Sequence, residues 1–405
     1  MKRALRAKMP GLAIVFCVGF FQHADAEEKL DITSLMTSLF QVQDRIASGD
    51  QAAFSLQDHL RKLAIAWVSE AEPVAKWTDD QFRSLIVLAI TGASSQAINR
   101  VLAQPQADQT RVNLALAALR YRQGRPVQAM KAFQSINGAQ TDERLRPYID
   151  FAQASLWARV DQAKAISSYN TVRLNAPGTL LEEVALRRLM TLHLSAENGL
   201  PFFSVAKQYA RRFSASPYRA QYLALLRKGV SVLRHGLELE TVDEITSHLP
   251  DGLGVTLYRD IARDAVVKAR LKLAAHATAR LSALSQANQL FAVNQDTLKL
   301  WSLIASMSEK TPGETSVALV SIERSKLETE DQSLFDATRS MLASITAPLA
   351  DLGRTDPQKS DLQQPSAQAK SKDGQSLPDT ADEELSAMIE EGKALLGTID
   401  DMLAN

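Results

Sequence analysis

The 405-residue sequence contains a single cysteine, Cys17, only 6% aromatic residues, and no excess of either charge, with 46 Lys and Arg against 46 Asp and Glu. One cysteine allows no intramolecular disulfide and no thiolate metal site. The balanced charge supplies no global cationic field for nucleic acid, so no nucleic-acid partner is expected. The apolar run "GLAIVFCVGFF", Gly11 to Phe21, is too short to span a bilayer. Alternating β-branched runs joined by Asn-Gly turns are missing, which argues against a sheet.

What is present begins with a leader. Lys2, Arg3, Arg6 and Lys8 precede the apolar run, and Ala24-Asp25-Ala26 follows it as a small-x-small cleavage site. A charged start, a short apolar segment and such an ending make residues 1–26 a secretory signal peptide, with Ala24 and Ala26 as its cleavage residues. Loss of four basic residues and Asp25 leaves 42 basic and 45 acidic residues and no cysteine. An exported chain without cysteine avoids mispairing in an oxidising compartment, and the periplasm is the expected location.

The remaining composition, 45% hydrophobic overall, suits a chain with a real core. Leu35, Leu39, Val42 and Ile46 recur at helical intervals, and "RIASGDQAAFSLQ" interrupts that helix for three residues before restarting it. Gly49 suits the left-handed position past a helix end, and Asp50 can cap the next helix. So short a connection lays two helices side by side. "FRSLIVLAITG", "VNLALAALRYRQG" and "EEVALRRLMTLHLSAENG" repeat the helical theme, each closed by glycine.

A period accompanies it. Ala129, Phe133 and Ile136 lie at offsets of zero, four and seven. Ala165, Tyr169 and Val172 repeat those offsets, with Pro177 beyond, and Ala206, Ala210 and Phe213 with Pro217 make a looser third copy. The small residue lets paired helices approach, the aromatic fills the gap, and proline ends the unit. The expected fold is all-α, a degenerate α-solenoid of tetratricopeptide-like helix hairpins over residues 27–350. Residues 351–379, with three prolines and little apolar content, read as a disordered linker. Residues 380–405 then read as an acidic amphipathic helix. Thr380 and Glu383 make a capping box, and Leu385, Met388, Ile389, Leu396, Ile399 and Leu403 share a face. Seven acids stand against Lys393 alone.

Chemistry is harder to find. Ser204 and Lys207 match a Ser-x-x-Lys signature, but "KTPG" only imitates the companion Lys-Thr-Gly motif, and the pair lies within the third repeat. Gly252 and Gly254 suggest half a dinucleotide loop, with Leu257 where a third glycine belongs and no strand before it, so a turn between helices is expected. His59, His193, His235, His248 and His276 show no paired zinc-helix spacing; His235 with Glu238 reads as a surface contact. Arg259, Arg263, Lys268, Arg270, Lys272 and Arg280 read as the charged face of a helix, mixed with Asp260 and Asp264. Trp67, Trp77, Trp157 and Trp301 read as core. No catalytic, cofactor or metal site is expected.

The segments "SLMTSLFQVQDRIASGDQAAFSLQ", "LALAALRYRQGRPVQAMKAFQSI" and "EEVALRRLMTLHLSAENGLPFFSVAKQYARRFSASPY" resemble the periplasmic motility protein C (MotC) family of flagellar motors. The resemblance runs from the leader to roughly Leu226. It implies a non-enzymatic periplasmic protein required for flagellar rotation, associated with the periplasmic part of the stator protein MotB, without cofactor. Two other classes fit an exported helical superhelix. One is a generic scaffold for envelope assembly. The other is a peptidoglycan lytic transglycosylase, which needs a catalytic glutamate, typically followed by serine, and this chain has no Glu-Ser dipeptide.

Overall fold

The computed structural model describes residues 31–71, 76–92, 95–103, 108–136, 141–233, 235–287 and 292–346, and every regular element among them is helical. The first elements are Ile32–Ala47 (α1), Ala53–Glu70 (α2), Asp79–Thr91 (α3), Ser95–Leu102 (α4), Gln109–Arg122 (α5), Pro126–Gln134 (α6), Arg146–Trp157 (α7) and Gln162–Asn175 (α8). Leu180–Ser195 (α9), Gly199–Phe213 (α10), Arg219–Val232 (α11), Leu239–Ser247 (α12) and Asp251–Val267 (α13) follow. Leu271–Ala287 (α14), Gln295–Ala305 (α15), Pro312–Val320 (α16) and Thr329–Thr346 (α17) complete them. The all-α expectation holds. The leader with Ala24 and Ala26, the 351–379 segment and the acidic 380–405 segment lie outside the described residues.

Local signals start the helices. Asp31 accepts from the Thr33 N–H at 3.1 Å ahead of α1, and the stripe Leu35, Leu39, Val42 and Ile46 is buried. Thr78 with Gln81 and Thr311 with Glu314 form capping boxes at α3 and α16. In the turn after α1, Gly49 has φ +104°, and Asp50 accepts from the Ala52 N–H at 3.1 Å and from Arg45. Antiparallel α1 and α2 result, and α5 with α6, α7 with α8, α9 with α10, α13 with α14 and α16 with α17 pair similarly.

The repeated small-aromatic spacing falls on the second helix of three such pairs. Ala129 and Phe133 of α6 are buried, Phe133 meeting Tyr121 of α5 edge-on at 6.5 Å. Ala165 and Tyr169 of α8 are buried, Tyr169 meeting Phe151 of α7 edge-on at 5.9 Å. In the third copy Ala206, Ala210 and Phe213 of α10 are buried, and the ring beside them, Tyr209, stacks on Tyr222 of α11 at 4.2 Å. Each aromatic fills the space that the alanine opens between helices.

Neighbouring pairs stack, α8 on α9 and α14 on α15, as a solenoid requires. The first hairpin departs from that simple order, because α1 also lies against α3 and α9. Val42, Ile46 and Ala53 form a small core with Phe54 and Tyr218, the two rings edge-on at 6.2 Å. The chain's first hairpin is therefore fastened to the middle of the stack.

Three expectations are corrected. The glycine after "LHLSAEN" does not close α9: Glu197 takes the left-handed conformation, φ 51°, and Gly199 begins α10. A Cβ on Gly199 would fall 1.8 Å from the His235 carbonyl oxygen, so this glycine serves close approach. Gly252 and Gly254 are not in a turn but in the first turns of α13. The basic stretch from Arg259 to Arg280 is two helices, α13 and α14, separated where Ala269 adopts φ 51°. An alanine there gives no sequence signal for a helix stop.

Candidate binding groove

The sequence candidates are dispersed. Ser204 is exposed on α10, while Lys207 reaches Glu244 of α12 at 3.4 Å, so the pair is not a serine with its activating lysine. The "KTPG" residues belong to the α16 capping box. His59, His235 and His248 are exposed and far apart along the fold; His193 is buried on α9, and burial lowers its pKa. Among the described residues no group of three or more His, Cys, Asp and Glu could hold a metal ion. Trp77 and Trp301 are core residues. Trp67 is half-buried against Trp77, and Trp157 is half-buried beneath the Lys164 ammonium, 4.4 Å from its ring.

Most of the basic residues on α13 and α14 are engaged. Arg263 pairs with Glu330, Lys268 with Asp264 at 2.8 Å, and Arg280 with Asp243 at 3.1 Å; Arg270 donates to the Val230 carbonyl. Arg259 and Lys272 are exposed.

One of these pairs borders a groove of about 410 Å³ between α12, α13 and α14. Asp243, Thr246 and Ser247 line it from α12, Gly254 and Tyr258 from α13, and Arg280, Ala283, Leu284 and Ala287 from α14. At its polar end, Asp243 Oδ1 accepts from the Tyr258 hydroxyl, from Arg280 Nε at 3.1 Å, and lies 2.9 Å from His276 Nε2. Burial favours a neutral Asp243, but the Tyr258 and His276 hydrogen bonds and the Arg280 charge outweigh it and hold the carboxyl below its ordinary range. Burial and the Asp243 hydrogen bond push Tyr258 up to about 12, so its hydroxyl remains a donor. The nearby hydroxyls of Thr246 and Ser247 donate to the carbonyls of Val242 and Glu244, each at 2.7 Å. Neither of these two hydroxyls donates to the Asp243–His276 pair, whose one hydroxyl donor is Tyr258.

A second polar cluster is enclosed. Glu183 of α9 accepts from Tyr209 at 2.7 Å and from Ser216 at 2.6 Å, and lies 3.8 Å from Arg187. Arg187 donates to Gln221 at 2.5 Å and sits over the Tyr218 ring, 4.9 Å from its centroid. Glu182 accepts from Gln208 at 2.7 Å, from Arg212, and from the Gly178 N–H. Glu182, Glu183 and Arg187 are buried, so this network fastens α9 to α10 and α11 and reaches, through Tyr218, the docked first hairpin. Sequence reading missed both clusters, because Asp243 and His276 are 33 residues apart and charged residues on a helix read as an outer face.

Stacked helix pairs with a groove between three of the helices define an all-α, repeat-like solenoid. A family model described as chemotaxis protein MotC matches residues 1–405, and the chain belongs to that family of motility proteins. It is 25% identical over 329 residues to the chemotaxis protein MotC of Rhizobium meliloti (strain 1021), covering 80% of this chain and 74% of that protein. No solved structure matches. The family match continues past Leu226, where the resemblance carried by the quoted segments ends.

Proposed function

We propose that this chain is an exported, non-enzymatic component of the flagellar motor, required for rotation and acting by binding the periplasmic part of the stator protein MotB. The observation that carries this reading is the family match over residues 1–405. Two further features support it. The Lys/Arg start, the short apolar run and Ala24-Asp25-Ala26 suit export to the periplasm. A stack of helix pairs presents extended surfaces and grooves suited to holding another protein.

Direct binding tests the reading. The chain from Glu27 to Asn405 is titrated with the purified periplasmic part of MotB from the same organism, by calorimetry or sedimentation. A saturable complex supports the assignment. If the two proteins sediment independently at every concentration, the partner assignment fails.

A further inference from the structure

The helix α14 carries no acidic residue from Leu271 to Ala287. Its Lys272, His276 and Arg280 follow at intervals of four, so they stand above one another on one face. Ala283, Leu284 and Ala287 continue that face into the groove, where Leu249 and Gly254 stand opposite. The wall is thus cationic at one end and apolar, with small side chains, at the other. Asp243 is the one acid among the groove-lining residues, and Tyr258, His276 and Arg280 already engage it. Arg280 still has 52% of its side chain exposed, and Lys272 and Ala283 are exposed.

We propose that the occupant of this groove is the chain's own C-terminal segment, residues 380–405. This assignment is independent of the partner proposed above. Three observations meet here. The segment's apolar residues, among them Leu396, Ile399 and Leu403, recur at the helical intervals that would fit a trough floored by alanine and glycine. Its seven acids against Lys393 complement a helix that has no acid of its own, with Arg280 lining the groove and Lys272 about two turns away on the same helix face. The chain can also reach. Arg263 of α13 pairs with Glu330 in the first turn of α17, which places the start of the last described helix beside α13. An 18-residue helix is about 27 Å long. The 33 residues from 347 to 379 are enough to bridge up to about 110 Å at full extension. The segment can therefore return from the end of α17 to the α13–α14 groove.

Apolar burial supplies most of the docking, because exposed ion pairs contribute little and are screened by salt. The charges select the site and the orientation.

Hydrogen exchange on the full chain tests this. The wild type is compared with a Leu396→Asp, Ile399→Asp double variant and with Ala283→Glu, which puts a negative charge at an exposed position of the groove wall. Circular dichroism of each variant checks that the helical stack is intact. The proposal predicts that exchange in 243–258, 276–287 and 380–405 accelerates about tenfold or more in both variants. Exchange in α1 and α2 stays unchanged, and wild-type protection is the same at low and high protein concentration. Unchanged exchange in the groove helices of both variants overturns the proposal. Protection that rises with concentration also overturns it, by showing that a second copy fills the groove.

Discussion

Gly49 and Ala215, 166 positions apart in the chain, are in near contact: a Cβ built on Gly49 would stand 2.6 Å from the Ala215 carbonyl oxygen. The same glycine has φ +104°, so the turn between α1 and α2 both reverses the chain and seats it on the turn between α10 and α11. Phe54 against Tyr218, and Arg187 over the Tyr218 ring, extend the junction into the buried network of α9.

Gly49→Val therefore meets two penalties, a left-handed backbone and a clash with main chain. Their sum is about 2–4 kcal/mol of stability, read from denaturant unfolding. Hydrogen exchange should localise the loosening to α1, α2 and the residues around Tyr218.

The Glu183–Arg187 pair predicts strong non-additivity. Arg187→Met leaves Glu183 buried opposite no cation, and Glu183→Gln leaves Arg187 buried opposite no anion, so each costs about 3–5 kcal/mol. The amide of Glu183→Gln still accepts from Tyr209 and Ser216. The double variant should therefore lose much less than the sum of the two singles in the same unfolding assay.

Two aspartates should respond to pH with opposite signs. Asp44 of α1 is half-buried, and burial raises its pKa despite a hydrogen bond from the Leu180 N–H. Its folded-state penalty is absent below the unfolded carboxylate value, sets in as pH rises, and is complete above the folded pKa. Asp44→Asn should stabilise the protein at pH 7 and leave it unchanged near pH 3. The Arg144 side chain holds the Asp142 carboxyl below its ordinary range; burial opposes this, and hydrogen bonds from Arg83 and the Arg144 N–H help to outweigh it. Its contribution is present above the unfolded value and is lost as pH falls through the folded pKa. Asp142→Asn should destabilise at pH 7, by no more than about 1 kcal/mol given its partial exposure, and lose that effect in strong acid. Thermal unfolding of both variants across pH gives the comparison.

The proposed export gives a processing prediction. Intact-mass measurement of the protein released by osmotic shock should show a chain beginning at Glu27. Ala24→Arg with Ala26→Arg should leave the leader attached. Full-length protein confined to the cytoplasm contradicts the expected address.

Much of the helical order was legible in the sequence, because it rests on signals between near neighbours. The stripe Leu35 to Ile46, the Gly49–Asp50 turn, Gly92 and Gly124 at helix ends, and the Ala165–Tyr169–Val172 spacing each encode a local event. Helix ends made by unusual residues were not legible. Glu197 and Ala269 take left-handed conformations against their propensity. The groove was equally hidden: Asp243, Tyr258 and His276 come from three helices and have no common spacing. The seat of α1 on α9 is a contact between distant repeats, which a periodic pattern cannot specify.

The most direct test of the motor assignment is tethered-cell rotation in a strain deleted for this gene, with filaments counted by electron microscopy. The account predicts paralysed cells bearing normal filaments, with rotation restored by the wild-type chain supplied in trans. Deleted cells that swim normally, or that fail to build filaments at all, would contradict a role in motor rotation.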